Sequence, residues 1–329
     1  MISRIGSYTF TSQNTSRLIK SQQELIDLQV QVATGKRSQD YKGISANSRQ
    51  LINLENSVNN AEQNLAQNNR VDLDIKAYNA AIEALTALAY EAKSLYNSSV
   101  GSGADPTDQV FDPRERAFDL LKEVEAQLNL KIDGDYLFGG GRTNAKPVTL
   151  PNDQATLSGE IGGAGQPYEL NGTATAFADT ALNQTYYYDG DNIDLTYRAS
   201  DDVELDFAMR ANETAFQDLI GALSVMIDNP NAHPDPADAA TVDFIESLLT
   251  NAISELGTQA QKLGFAANQL QKVNNELESF ITFTQNEIEE IESIDPTEAV
   301  VRLQQSSLNL EISYQATARI NQLSIANFI

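Results

Sequence analysis

Leu256-Gly257-Thr258-Gln259-Ala260-Gln261-Lys262-Leu263-Gly264-Phe265-Ala266-Ala267-Asn268-Gln269-Leu270-Gln271-Lys272-Val273-Asn274-Asn275-Glu276-Leu277 sets a leucine at every seventh position, four times over. Seven residues is close to two turns of an α-helix, so these leucines fall on one line along one face. A second line reads Ile253, Ala260, Ala267, Asn274, Ile281 and Ile288. A seam held over five heptads predicts a helix packed lengthwise against another in coiled-coil style. An ordinary globular bundle has the same periodicity and stays open as an alternative.

The same spacing recurs on the N-terminal side. Leu18, Leu25 and Val32 are seven apart, as are Leu51, Val58 and Leu65, with Leu54 and Ala61 beside them. Ile75, Ile82 and Ala89 continue the pattern, interleaved with Tyr78 and Leu85. The nine prolines lie at 106, 113, 147, 151, 167, 230, 234, 236 and 296, which leaves 1–105 and 237–295 free of the strongest helix breaker. Ten of the 18 glycines fall between Gly134 and Gly190. Two helix-compatible arms therefore flank a turn-rich centre.

Helix starts are legible too. Asp112-Pro113-Arg114-Glu115 and Asp295-Pro296-Thr297-Glu298 share one design: a capping aspartate, proline at the first helical position, and a glutamate placed for a capping box. Asp235-Pro236-Ala237-Asp238 is a looser version. Helices are expected over about 46–98, 113–132, 237–291 and 296–329, the two longest each about 75–80 Å long. In the centre, Tyr186-Tyr187-Tyr188, Asp189-Gly190-Asp191-Asn192 and Ile193-Asp194-Leu195-Thr196-Tyr197 read as strand, turn, strand. Val203, Leu205 and Phe207 alternate with acids, as in a strand wet on one face. The expected fold is mainly α with a β-rich insert: a long antiparallel helical rod with coiled-coil-like arms from both termini, plus a small central β head. The expected division is 1–45 with 292–329 as a terminal helical pair, 46–133 with 208–291 as the rod, and 134–207 as an acidic outer head.

Composition narrows the function classes. The chain has 329 residues and a formal charge of −24, a surface that repels phosphate backbones and anionic membranes. Nucleic acid and membrane are therefore not expected partners. With no cysteine there is no disulfide framework, thiolate nucleophile or Cys-based zinc site. The first 30 residues hold no signal-peptide apolar core, so any export is expected to use a route without a cleaved signal of that kind.

The two ends are the informative part. Residues 299–329 carry only three charges, Arg302, Glu311 and Arg319, and the first 34 residues carry five. Apolar side chains lie on several sides of the C-terminal helix, with serine, glutamine and asparagine replacing charge. The expected assembly interface comprises Leu18, Leu25, Val32, Leu303, Leu308, Leu310, Ile312, Tyr314, Ile320, Leu323, Ile325 and Phe328. Pairing of the two ends within one monomer is the competing reading, and a single pair cannot cover several apolar faces.

Several motifs now combine. Thr34-Gly35-Lys36-Arg37, after a heptad arm, resembles an element near the start of bacterial flagellins and flagellar hook-associated proteins. Leu263-Gly264-Phe265-Ala266-Ala267-Asn268-Gln269-Leu270 is similar to the Leu-Gly-x-x-x-Asn-x-Leu element of their C-terminal helix. Leu303-Gln304-Gln305, Tyr314-Gln315-Ala316 and Leu323-Ser324-Ile325-Ala326-Asn327-Phe328-Ile329 resemble that family's terminal helix. Asp135-Tyr136-Leu137-Phe138-Gly139-Gly140, with Thr143 and Pro147, looks more like the hook–filament junction type, hook-associated protein 3, than like filament flagellin. The family's usual Asp-Asp-Pro or Asp-Asp-Ala stretch is replaced by Asp40-Tyr41-Lys42-Gly43-Ile44, which puts the link between end segment and rod in question. The resemblance implies a structural subunit exported unfolded through the hollow flagellum by the type III route. It implies self-association in a ring, contacts with hook-associated protein 1 and flagellin, and a cytoplasmic export chaperone on the C-terminal helix.

Catalytic and ligand chemistry finds little support. His233 is the only histidine, which excludes multi-histidine zinc sites, and its place in a proline-rich loop gives no support to a Ser–His–Asp triad. Asp189, Asp191 and Asp194 offer oxygens to calcium but lack the EF-hand order and its distant glutamate; a hairpin turn is the simpler reading. Gly139-Gly140-Gly141-Arg142 and Gly35-Lys36-Arg37 lack the full phosphate-loop pattern and are read as bends. Glu287, Glu289, Glu290 and Glu292 read as a solvated helix face. No cofactor is expected. Three readings remain: a junction subunit, a filament flagellin, and, distantly, a carboxylate enzyme using the acidic head.

Overall fold

The computed structural model describes residues 2–44, 47–101, 113–150, 178–179, 184–185, 187–228 and 239–326. Among them are six helices: α1 (Ile2–Thr34), α2 (Ser48–Gly101), α3 (Pro113–Leu128), α4 (Thr214–Asp228), α5 (Ala239–Glu292) and α6 (Pro296–Ala326). Three antiparallel ladders, each strand two residues long, pair β1 (Lys131–Ile132) with β2 (Asp135–Tyr136), β3 (Ala178–Asp179) with β4 (Gln184–Thr185), and β5 (Tyr197–Arg198) with β6 (Glu204–Leu205). The fold is mainly α with a small β component, as the spacing predicts. Among the described residues no helix is long and apolar enough to cross a membrane.

The chain divides into two compact units, Met1–Glu62 with Glu278–Ile329, and Gln63–Leu277. The first unit holds α1, α6 and a small cluster in which Ile44, Leu51 and Ile291 are buried, with Leu54 and Ile288 against them. The second holds one continuous core. Ile75, Tyr78, Ile82 and Leu85 of α2 join Leu120, Leu121 and Val124 of α3 in it, together with the apolar faces of α4 and α5. Tyr78 meets Phe138 and Phe207 edge-on at 5.2 and 6.0 Å, Phe138 meets Phe216 at 5.5 Å, and Tyr197 stacks on Phe207 at 4.7 Å. Within this unit α2 and α5 run antiparallel: Lys93 Nζ donates to Thr250 Oγ1 at 3.0 Å and the Tyr96 hydroxyl to the Val242 carbonyl at 2.9 Å.

Some expectations are corrected. The leucine line Leu256, Leu263, Leu270 is buried; of its companion line Ile253, Ala267, Asn274, Ile281 and Ile288 are half-buried, and between 252 and 273 the deepest positions lie one residue earlier. Ala252, Ala266 and Val273 are buried with Gln259 half-buried, whereas Ala260 is exposed. α3 ends at Leu128 rather than near 132, because Asp133 (φ 53°) and Gly134 (φ 96°) make the left-handed two-residue turn of a tight hairpin between β1 and β2. The expected hairpin around Asp189–Asn192 is not formed. Tyr188 instead bridges to Val148, and Tyr197 pairs with Leu205. The alternation at Val203, Leu205 and Phe207 does hold, with Leu205 and Phe207 buried and Glu204 and Asp206 exposed. The caps at Asp112 and Asp235 lie outside the described residues. At Asp295 the carboxylate accepts the N–H of Thr297 at 2.8 Å and of Glu298 at 3.3 Å, which holds its pKa below the usual carboxylate value. Glu298 does not complete a capping box; its carboxylate pairs with Arg302 at 2.6 Å.

Candidate assembly surface

α1 and α6 pack against each other in the first unit. Their less exposed positions step by three and four: Asn14, Leu18, Ser21, Leu25, Leu28 and Val32 on α1, and Leu303, Ser306, Leu310, Ser313 and Thr317 on α6. That is the stripe two paired helices bury between them. The side chain of Gln22 donates to the Tyr314 hydroxyl across the pair.

The expected interface residues therefore fall into groups. Leu18, Leu25, Val32, Leu303 and Leu310 are half-buried positions of this intramolecular seam. Leu308, Ile312 and Tyr314 stay open, with 55%, 54% and 45% of their surface exposed. Ile320, Leu323 and Ile325 belong to α6, their side chains outside the described residues, and Phe328 lies outside altogether. Pairing within the chain does occur, and it leaves other apolar rows uncovered. Sequence reasoning missed Ile19 and Ile26, exposed and seven apart one step from the Leu18–Leu25 line, and Val300, Phe280 and Phe283. The signal was present as a second heptad row offset by one residue. Charge is sparse here. α1 carries Arg4, Arg17, Lys20, Glu24 and Asp27, and α6 carries Glu298, Arg302, Glu311 and Arg319. Aliphatic rows on helices this close to neutral lose little charge hydration when covered.

The Thr34-Gly35-Lys36-Arg37 element closes the pair at one end. Gly35 has φ +70°, the left-handed value that ends a helix, and its N–H reaches the Gln31 carbonyl at 2.8 Å. The next residues pair with the connection between α5 and α6. Arg37 N–H donates to the Glu292 carbonyl at 2.6 Å, and Ile294 N–H to the Gly35 carbonyl at 3.0 Å. Lys36 Nζ adds a 2.6 Å ion pair with the mostly buried Glu292 side chain. The divergent Asp40–Ile44 stretch is ordered by its own residues. Asp40 accepts the Gly43 N–H and the Ser38 hydroxyl, both at 3.1 Å, which lowers its pKa. A side chain on Gly43 would collide with Ser38, the Tyr41 hydroxyl donates to Glu55 at 2.7 Å, and Ile44 is buried against Leu51 and Ile291.

The carboxylates considered for calcium or catalysis are engaged within the second unit. Asp191 Oδ1 accepts the Gly141 N–H at 2.6 Å and the Ile193 N–H at 3.1 Å. Asp189 accepts the Thr149 hydroxyl at 3.2 Å, and Asp194 pairs with Arg210 at 2.9 Å. A Cβ on Gly140, whose φ is +64°, would stand 2.6 Å from Asp191 Oδ1. The triple glycine thus gives room to an internal carboxylate in the place where a phosphate loop would hold its anion. Among the described residues no three His, Cys, Asp or Glu side chains cluster as metal ligands. His233 lies outside them. In the acidic run Glu289 and Glu290 are exposed, while Glu292 is the Lys36 partner. A cleft of about 260 Å³ is lined by Arg70, Asp74, Tyr78, Tyr136 and Tyr197 among others. Burial raises the Asp74 carboxyl there, and Arg70 is already paired with Asp133.

Comparison with known proteins agrees with the motif reading. Residues 247–329 match the model of the bacterial flagellin C-terminal helical region. A Vibrio parahaemolyticus protein assigned as a flagellar hook-associated protein superposes with a TM-score of 0.56 at 13% identity, over 74% of this chain and 96% of that one, so the two share a fold. Bacillus cereus FlgL aligns over 75% of this chain and 99% of its own at 15% identity; its TM-score of 0.39 is too low to bear on the fold. No curated protein matches the chain by sequence.

Proposed function

We propose that this flagellin-like chain is a structural subunit of the bacterial flagellum. Its place is the hook–filament junction, where it joins hook-associated protein 1 to the first filament flagellins. The observation that carries the reading is the α1–α6 pair: one seam closed within the chain, and aliphatic rows left open on helices almost without net charge. Contiguous apolar rows of this kind are stabilised when neighbouring chains cover them, and identical copies meeting head-to-tail form a ring when the rotation between them closes and an open helix when it does not. In this reading residues 1–45 with 292–329 form an inner tube, 46–133 with 208–291 the rod, and 134–207 the outer head. The subunit leaves the cell through the flagellar type III route without a cleaved signal, its C-terminal helix held by a cytoplasmic chaperone beforehand. The interface residues are the open Leu308, Ile312 and Tyr314 with Ile320, Leu323, Ile325 and Phe328, supported by the Leu18, Leu25, Val32, Leu303 and Leu310 seam.

The test is deletion of residues 310–329. The remaining Gln63–Leu277 core is expected to keep its folded far-UV signal while the subunit disappears from purified flagella; normal incorporation of the truncated protein refutes the assembly role. A filament flagellin is the second reading, favoured by the flagellin match over 247–329. A junction subunit binds hook-associated protein 1 directly and is scarce in sheared filaments, whereas a filament flagellin makes up their bulk.

A further inference from the structure

Inward-facing positions on α2 advance in alternating steps of three and four from Leu51 to Leu65, and again from Val71 to Tyr96. Between these stretches the alternation fails: Leu65, Asn68 and Val71 follow in two successive steps of three. On α5 the alternation is regular from Leu249 to Val273, then takes two steps of four, through Leu277 to Ile281. Successive threes overwind a helix pair locally, and successive fours unwind it. The two breaks face each other, because Asn68 Nδ2 donates to Asn274 Oδ1 at 2.7 Å. Interlocking packing cannot persist through two opposed breaks.

Polar groups occupy the gap. Asn68 is fully buried, and its Nδ2 also donates to the Ala199 carbonyl at 2.9 Å. Its own Oδ1 is buried without a hydrogen-bond partner among the described residues. A buried carbonyl oxygen without a donor favours states that admit water. Turns beyond the break have no such weakness: Leu256 and Leu263 on α5 and Ile82 and Leu85 on α2 are at most 1% exposed.

We infer that Asn68 and Asn274, with the turns 65–71 and 270–277, form a hinge built into the α2–α5 helix pair, the place where both helices open first and change twist most readily. The amides set its softness: they hold the closed form together by hydrogen bonds, yet leave one oxygen that water satisfies on opening.

Native-state hydrogen exchange on the full chain, resolved by peptide mass, tests this. Amides of 65–71 and 270–277 are expected to exchange about tenfold faster than those of 78–92 and 252–266. The double substitution Asn68→Leu with Asn274→Leu is expected to bring them to the flanking rates. Wild-type turns as well protected as their flanks overturn the inference, and so does a folded variant whose turns stay fast. If the double variant does not fold, Asn274→Leu alone, which removes the bond between the two helices and leaves the Asn68 oxygen unpaired, is expected to make these turns exchange faster still; unchanged or slower exchange overturns the inference.

Discussion

Leu308→Ser combined with Ile312→Ser separates a surface built for neighbours from one that serves the monomer. Both side chains lie on α6 with slightly more than half of their area open to solvent, 55% and 54%. Full burial of such a side chain contributes about 1.5–3 kcal/mol, so covering the open half contributes about 1 kcal/mol each. Loss of both should weaken each subunit contact by about 2 kcal/mol, roughly thirtyfold in its association constant. The folded monomer should barely notice, since substitutions at open positions change stability by about 0.5 kcal/mol or less. The contrasting variant, Leu25→Ser with Leu310→Ser, removes half-buried seam positions and should destabilise the helix pair by several times as much. The assay is the fraction of subunit recovered with purified flagella rather than free in the medium, alongside a urea melt of each purified protein. Wild-type recovery of the Leu308/Ile312 variant, or a melt as weakened as that of the seam variant, refutes the reasoning.

Burial, and the neighbouring Glu255 charge, push the Asp218 carboxyl on α4 from 3.8 up to about 6. The folded state then holds this proton more tightly than the unfolded one, so stability is lost as pH rises from about 4 through about 6. Asp218→Asn should match wild type below pH ~4 and exceed it above pH ~7 by about 1 kcal/mol, well under the full shift because the site is only half-buried; equal melts at both pH values count against this. Gly257 and Gly264 sit inside α5 with open space where a Cβ would go. Alanine at each should stabilise by roughly 0.5–1 kcal/mol, read as a higher melting temperature. Gly140→Ala should destabilise by roughly 2 kcal/mol or more, because its backbone is left-handed and the added carbon meets Asp191; an unchanged melt would contradict that geometry.

Periodicity carried most of the helical fold, and its failures have physical causes. α4 was missed because its polar positions are confined to its start: Thr214, Gln217 and Asp218 are at least partly exposed, whereas every residue from Leu219 to Ile227, Ser224 included, is buried, so no wet face repeats along it. The second line of α5 slipped by one because alanines at both 266 and 267 fit either phase, and only burial separates them. Two-residue strands are too short for an alternating pattern, so the ladders follow from turn chemistry at Asp133-Gly134 and from long-range pairs such as Val148 with Tyr188. At the candidate surface the heptads revealed apolar stripes but could not assign their partners. Leu25 and Leu308 have equal hydrophobicity; the first is covered by the chain itself and the second is not.

The crossing at Gly35–Arg37 and Glu292–Ile294 has a consequence for repetition. Its two main-chain hydrogen bonds, with the Lys36–Glu292 charge pair, fix where α1 ends relative to where α6 begins. A slide by one turn would break both bonds, so every copy displays Ile19, Ile26, Leu308 and Ile312 at one constant offset. In the proposed assembly, a repeating array cannot use units that vary, and these two main-chain bonds would keep successive copies alike.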